Sequence, residues 1–105
     1  MPTSPRMFAG AAMFAALVVS PAIAQDAPID ASVLAGSCAN CHGTDGVSPG
    51  AIPSIAGQPY DVLLAQLQAF KAGEISGATI MTRIATGYSD EELEAIARYF
   101  SEIEP

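Results

Sequence analysis

The chain has 105 residues, half of them hydrophobic, with four Lys and Arg against eleven Asp and Glu. A net charge of −7 argues against nucleic acid and anionic membrane surfaces as partners. The length allows one small domain, and two cysteines with one histidine are too few side chains for a structural zinc site.

Residues 1–24 read as a secretory signal. Arg6 charges a short n-region, an apolar h-region runs from Met7 to Val19, and Ala22-Ile23-Ala24 offers small residues for cleavage. An uncleaved membrane anchor is the competing reading, but the apolar run is short for a bilayer and closes at Ser20-Pro21. Cleavage after Ala24 leaves one domain over residues 25–105, with Lys71, Arg83 and Arg98 against all eleven acids, a net −8. No membrane insertion of that mature chain is expected. A domain of 81 residues buries a limited core, which favours a bound group as a staple.

Gln25 to Ile29 reads as a loose leader. Asp30 is placed to cap a first helix running to about Asn40. Leu34, Cys38 and Cys41 fall at i, i+4 and i+7, so one face carries both thiols and an apolar anchor. Gly43 to Gly57, rich in Gly, Pro and Ser, reads as a loop. Tyr60, Leu63, Leu64, Leu67 and Phe70 mark an amphipathic helix stopped by Gly73. Glu74 to Gly87 keeps no period and reads as a second loop. Ser89 and Glu92 form a capping box ahead of a last helix whose apolar stripe is Leu93, Ile96, Ala97, Phe100 and Ile103. Six of the eleven acids lie between Asp90 and Glu104, a pattern read as a solvated face with favourable charge at the helix start.

Cys38-Ala39-Asn40-Cys41-His42 is a C-x-x-C-H run, the attachment signature for c-type haem. Two thiols at this spacing can each form a thioether to one haem vinyl group, and the next residue offers an imidazole to the iron. A Cys38–Cys41 disulfide or redox pair is the plainer alternative. A thioredoxin-type site, though, expects a βαβ setting, and no strand pattern is visible. His42 is the only histidine, and beyond the signal Met81 is the only methionine. Met81 lies 39 residues after His42, in the second loop, and is the candidate sixth ligand. Its plain alternative is a core filler, and Lys71 is the other conceivable ligand. His/Met ligation raises the reduction potential and saturates the iron, which leaves outer-sphere electron transfer. The Pro53 carbonyl is a candidate acceptor for the His42 ring. Tyr60, Tyr88 and Tyr99 read as amphipathic surface packing, with hydroxyls that could also serve haem propionates.

These residues resemble a class I cytochrome c over nearly all of residues 30–104. The resemblance implies first and last helices in tight contact, with Leu34, Ile96 and Tyr99 at the matching positions and the Pro53 carbonyl as acceptor for the proximal histidine. A narrower similarity, to the cytochrome subunit of flavocytochrome c sulfide dehydrogenase, rests on four further segments. They are residues 36–44, Ile52-Pro53-Ser54-Ile55-Ala56-Gly57, Phe70-Lys71-Ala72-Gly73-Glu74, and Ile80-Met81-Thr82-Arg83-Ile84-Ala85-Thr86-Gly87-Tyr88-Ser89-Asp90-Glu91-Glu92. That similarity implies an FAD-containing flavoprotein subunit as electron donor and another redox protein as acceptor. Better-known members of that family carry two haem domains, and this chain has one attachment run.

The expectation is therefore an all-α class I cytochrome c fold, three main helices around one covalently bound haem c. Cys38 and Cys41 bind the cofactor, His42 and Met81 ligate its iron, and the chain is a periplasmic electron carrier rather than an enzyme. Two alternatives stay open. One is a freestanding soluble cytochrome c serving a terminal oxidase or reductase. The other is a ligand sensor or peroxidase in which Met81 does not bind iron.

Overall fold

The computed structural model describes residues 1–5, 7, 9–19 and 29–105. Arg6 and the expected cleavage segment Ala22-Ile23-Ala24 lie outside the described residues. Residues 9–19 form no regular element, and Met13, Phe14, Leu17 and Val18 among them are exposed.

Helix α1 spans Ala31–His42. It starts where Asp30 accepts from the Ser32 hydroxyl at 2.7 Å and the Ser32 amide at 2.8 Å. Those two bonds, the hydroxyl's first, hold the Asp30 carboxyl below its usual range. The helix runs two residues past the expected end at Asn40, so its last turn contains the whole Cys38–His42 run. Gly43 then turns the chain sharply at φ 87 and ψ 163, a conformation nearly reserved for glycine.

Helix α2 spans Tyr60–Ala72 and stops at Gly73, whose left-handed conformation lets its amide reach the Ala69 and Phe70 carbonyls. The expected loop from Glu74 to Gly87 needs correction, because Ile80–Thr86 is helix α3. Seven residues are too few to display an amphipathic period. Thr82 and Thr86 each donate to the carbonyl four residues back, at 3.2 and 2.6 Å, and α3 packs against α2. Met81 therefore stands in the first turn of a helix. Helix α4 spans Asp90–Ser101, opened by the expected capping box: Glu92 N–H to Ser89 Oγ at 3.1 Å and Ser89 N–H to Glu92 Oε2 at 2.9 Å.

Among the described residues the fold is all-α, four helices with no strand. Its core is Ala35, Leu63, Ile96, Ala97 and Phe100, with Leu34, Leu64, Leu67, Tyr60 and Tyr99 packed against them. The first and last helices meet at this cluster, as the class I pattern implies. Ala35 and Ala97 are the smallest members and nearly fully buried, which suits a close approach of the two backbones. No helix among the described residues is long and apolar enough to cross a membrane.

The two kinds of support should separate in urea unfolding of the haem-loaded protein. Ser89→Ala should cost about 1 kcal/mol, the worth of one N-cap. Phe100→Ala should cost about 3–5 kcal/mol through its cavity. Equal losses would mean that Phe100 does not anchor the core.

Candidate haem site

All four helices contribute to one apolar cavity of about 540 Å³. Cys38, Cys41 and His42 line it from α1, Leu63, Leu67 and Phe70 from α2, Met81 and Ile84 from α3, and Ile96 and Phe100 from α4. Pro53 and Ile55 close it from the 43–57 loop. The five predicted site residues thus converge on one space.

His42 is the only buried polar residue among those described. Its Nδ1 lies 2.6 Å from the Pro53 carbonyl oxygen. A carbonyl can only accept, so Nδ1 carries the hydrogen and Nε2 keeps its lone pair for a metal. This fixes both the tautomer and the ring plane.

The loop that holds Pro53 is itself stitched down. A 3-10 turn, Thr44–Gly46, follows Gly43, and the Gly46 carbonyl accepts from Ile55 and Ala56 at 2.8 and 3.1 Å. Gly57 donates to Phe100 at 2.9 Å, tying the loop to the end of α4. Gly46 sits against Phe100 and Ile55, where a Cβ would come within 2.8 Å of the Phe100 ring. Position of the His42 acceptor therefore depends on α4.

Cys38 is half-buried and Cys41 exposed, and neither is in a disulfide. Burial pushes the Cys38 thiol up, against a smaller opposing pull from the Ser37 hydroxyl. Among the described residues no three His, Cys, Asp or Glu side chains gather to hold a metal. The donor set suits a macrocycle's iron: one imidazole, one thioether sulfur, two thiols and apolar walls. These residues fit haem.

Lys71 is engaged elsewhere. Its Nζ donates to the Tyr88 carbonyl at 2.8 Å and to Asp90 Oδ1 at 3.0 Å, away from the cavity lining. Of the tyrosines, Tyr60 lies beneath Arg98, whose Cζ is 4.3 Å from the ring centroid, and Tyr99 meets Phe100 edge-on. The Tyr88 hydroxyl pairs with Ser37 Oγ. Sequence reasoning missed that pair and the lining residues Gln58 and Gln66. Gln66 was detectable in principle, three residues from Leu63 on one helical face.

A family model, Cytochrome c, matches residues 30–104. The chain belongs to the cytochrome c family. This family's members are electron carriers with haem c, and this cytochrome carries the attachment sequence at Cys38, Cys41 and His42. It is 45% identical over 71 residues to the cytochrome subunit of sulfide dehydrogenase of Chlorobaculum tepidum, covering 68% of this chain and 64% of that protein. It is 41% identical over 69 residues to cytochrome c-554(548) of Halomonas halodenitrificans, covering 63% of this chain and 83% of that protein. Among solved structures, the thiosulfate dehydrogenase TsdBA of Marichromatium purpuratum matches with a TM-score of 0.61 and 43% identity. That match covers 64% of this chain and 15% of the TsdBA chain. The first two relatives are named as a cytochrome subunit and a cytochrome, and this chain is an electron-transfer protein of that family.

Gly43 and Pro53 should respond to very different degrees. Gly43→Ala places a Cβ against the Val47 carbonyl at a backbone conformation only glycine tolerates, and should cost about 2–3 kcal/mol or more. Pro53→Ala keeps the accepting carbonyl and should cost about 1 kcal/mol or less, through loop entropy. Denaturant unfolding and the His42 ring-proton shifts would show it; a His42 ring reoriented in Pro53→Ala would contradict the assignment.

Proposed function

We propose that this cytochrome c is an exported, periplasmic one-electron carrier that accepts electrons from an FAD-containing sulfide dehydrogenase subunit. Cys38 and Cys41 hold haem by thioethers, His42 is its proximal ligand and Met81 its distal one. The observation that carries the ligand reading is that His42 and Met81 line the same apolar cavity from different helices, with Nδ1 of His42 already donated to Pro53. When bound, haem supplies one-electron exchange at its iron, at a potential raised by a His/Met pair.

The residues of the chain do the rest. Pro53 orients the imidazole, and α3 presents the Met81 thioether. Leu63, Leu67, Phe70 and Phe100 exclude water, so the charge on the iron is felt in a low-dielectric surrounding. With His42 and Met81 both holding the iron, small oxidants would find no open site, which would set electron transfer apart from sensor or peroxidase chemistry.

Export rests on the residue pattern of positions 1–24, with Arg6 ahead of an apolar run and small residues at 22–24. The donor rests on the similarity to the Chlorobaculum subunit, whose name specifies sulfide dehydrogenase. A freestanding shuttle is the second reading. The Halomonas protein favours it, since the chain covers 83% of that cytochrome and its name mentions no dehydrogenase.

The ferric protein should show a low-spin spectrum with the methionine–iron charge-transfer band, and Met81→Ala should abolish the band and lower the midpoint potential. A high-spin spectrum indifferent to that substitution would overturn the ligand assignment. Gentle purification from the native periplasm should bring flavin along with haem in one peak. A haem protein that elutes as a flavin-free monomer would support the freestanding carrier instead.

A further inference from the structure

Helix α3 has an unusual position among the four. It packs on α2 and has at most marginal contact with α1 or α4. Yet α1 carries His42 and α3 carries Met81, so the two candidate ligands belong to helices that scarcely touch. Helix packing links them only indirectly, from α3 through α2 and α4 to α1, so a direct tie between α3 and α1 would add to it.

Tyr88 joins all four helices. Its backbone N–H donates to Ala85 at 3.2 Å, closing the end of α3. Its carbonyl accepts from Lys71 Nζ of α2 at 2.8 Å. It directly precedes Ser89, the N-cap of α4. Its hydroxyl bonds Ser37 Oγ on α1, one residue before the first haem-binding cysteine. Ser37 Oγ also donates to the Leu34 carbonyl at 3.0 Å, which commits the serine's one hydrogen and leaves Tyr88 as donor to Ser37. The side-chain bond to Ser37 thus spans from the end of α3 to α1.

The geometry points to Tyr88 as a positioning residue for the distal ligand: its hydroxyl bond to Ser37 holds α3 closed so that Met81 stays on the iron. This rests on the reading of Met81 as that ligand. An opening in which α3 swings Met81 away from the cavity would break the Tyr88–Ser37 bond. The bond therefore favours the Met-ligated state over that open state, and Lys71 supports it by gripping the Tyr88 backbone. The Lys71–Asp90 pair adds little, because both side chains are substantially exposed.

Imidazole, which competes with Met81 for ferric iron, reads this preference directly. Tyr88→Phe should tighten apparent imidazole binding about fivefold, the factor to which about 1 kcal/mol for one hydrogen bond corresponds. Ser37→Ala removes the same bond from α1, where alanine raises helix propensity, so a merely structural role predicts unchanged or better thermal stability and no change in imidazole affinity. The double variant should bind imidazole no more tightly than either single one. Affinities of both single variants within twofold of the wild type would overturn the inference. Absence of the methionine–iron band in the wild-type ferric protein would instead remove the Met81 ligation beneath it.

Discussion

The bond from His42 Nδ1 to the Pro53 carbonyl, 2.6 Å long, sets the frame in which the remaining groups of the site make sense. An imidazole with a free choice of tautomer could present either nitrogen to a metal and rotate about its ring axis. Once Nδ1 is committed, Nε2 and the ring plane are committed with it. The cost of holding the Pro53 loop in place is then distributed across the fold. Gly43 reverses the chain, Gly46 nestles on Phe100, and Gly57 bonds the Phe100 carbonyl. Helix α4 therefore supports the proximal side without supplying a ligand.

Eight apolar residues are buried among those described, and four of them are alanines. So small a core depends on what fills the neighbouring cavity of about 540 Å³. Its walls are apolar, so a group that fills the space and keeps water from them adds burial that the small core lacks. Haem is then a structural member of the fold as much as its redox centre. The expectation that a domain of this length needs a staple has its physical counterpart here.

Much of this was legible in the residues, for identifiable reasons. Capping chemistry is local, so Asp30, Gly73, and Ser89 with Glu92 marked their helix ends correctly. The α4 stripe of Leu93, Ile96, Ala97 and Phe100 is buried as its period implied. Cys38, Cys41 and His42 share a cavity because their spacing is itself the chemistry, and Pro53 was reachable through family resemblance. Helix α3 was not legible, since seven residues flanked by Gly77 and Gly87 make too short a period to distinguish from a loop. Nor was the pairing of Ser37 with Tyr88, because a contact across 51 residues leaves no local trace. Lys71, the other conceivable ligand, instead clasps a backbone carbonyl. Non-local polar contacts of this kind were the main loss.

The loop-to-α4 stitching also bears on how the chain is made. Residues 46, 57 and 100 must meet before the His42 acceptor has a fixed place, and α1 finds its main packing partner only in α4. A chain emerging from its N-terminus therefore displays the Cys38–His42 run until α4 is made, with no core to fold it into. During that interval the two thiols and His42 have no packed core around them. Late closure by α4 thus completes the core and fixes the His42 acceptor in one event.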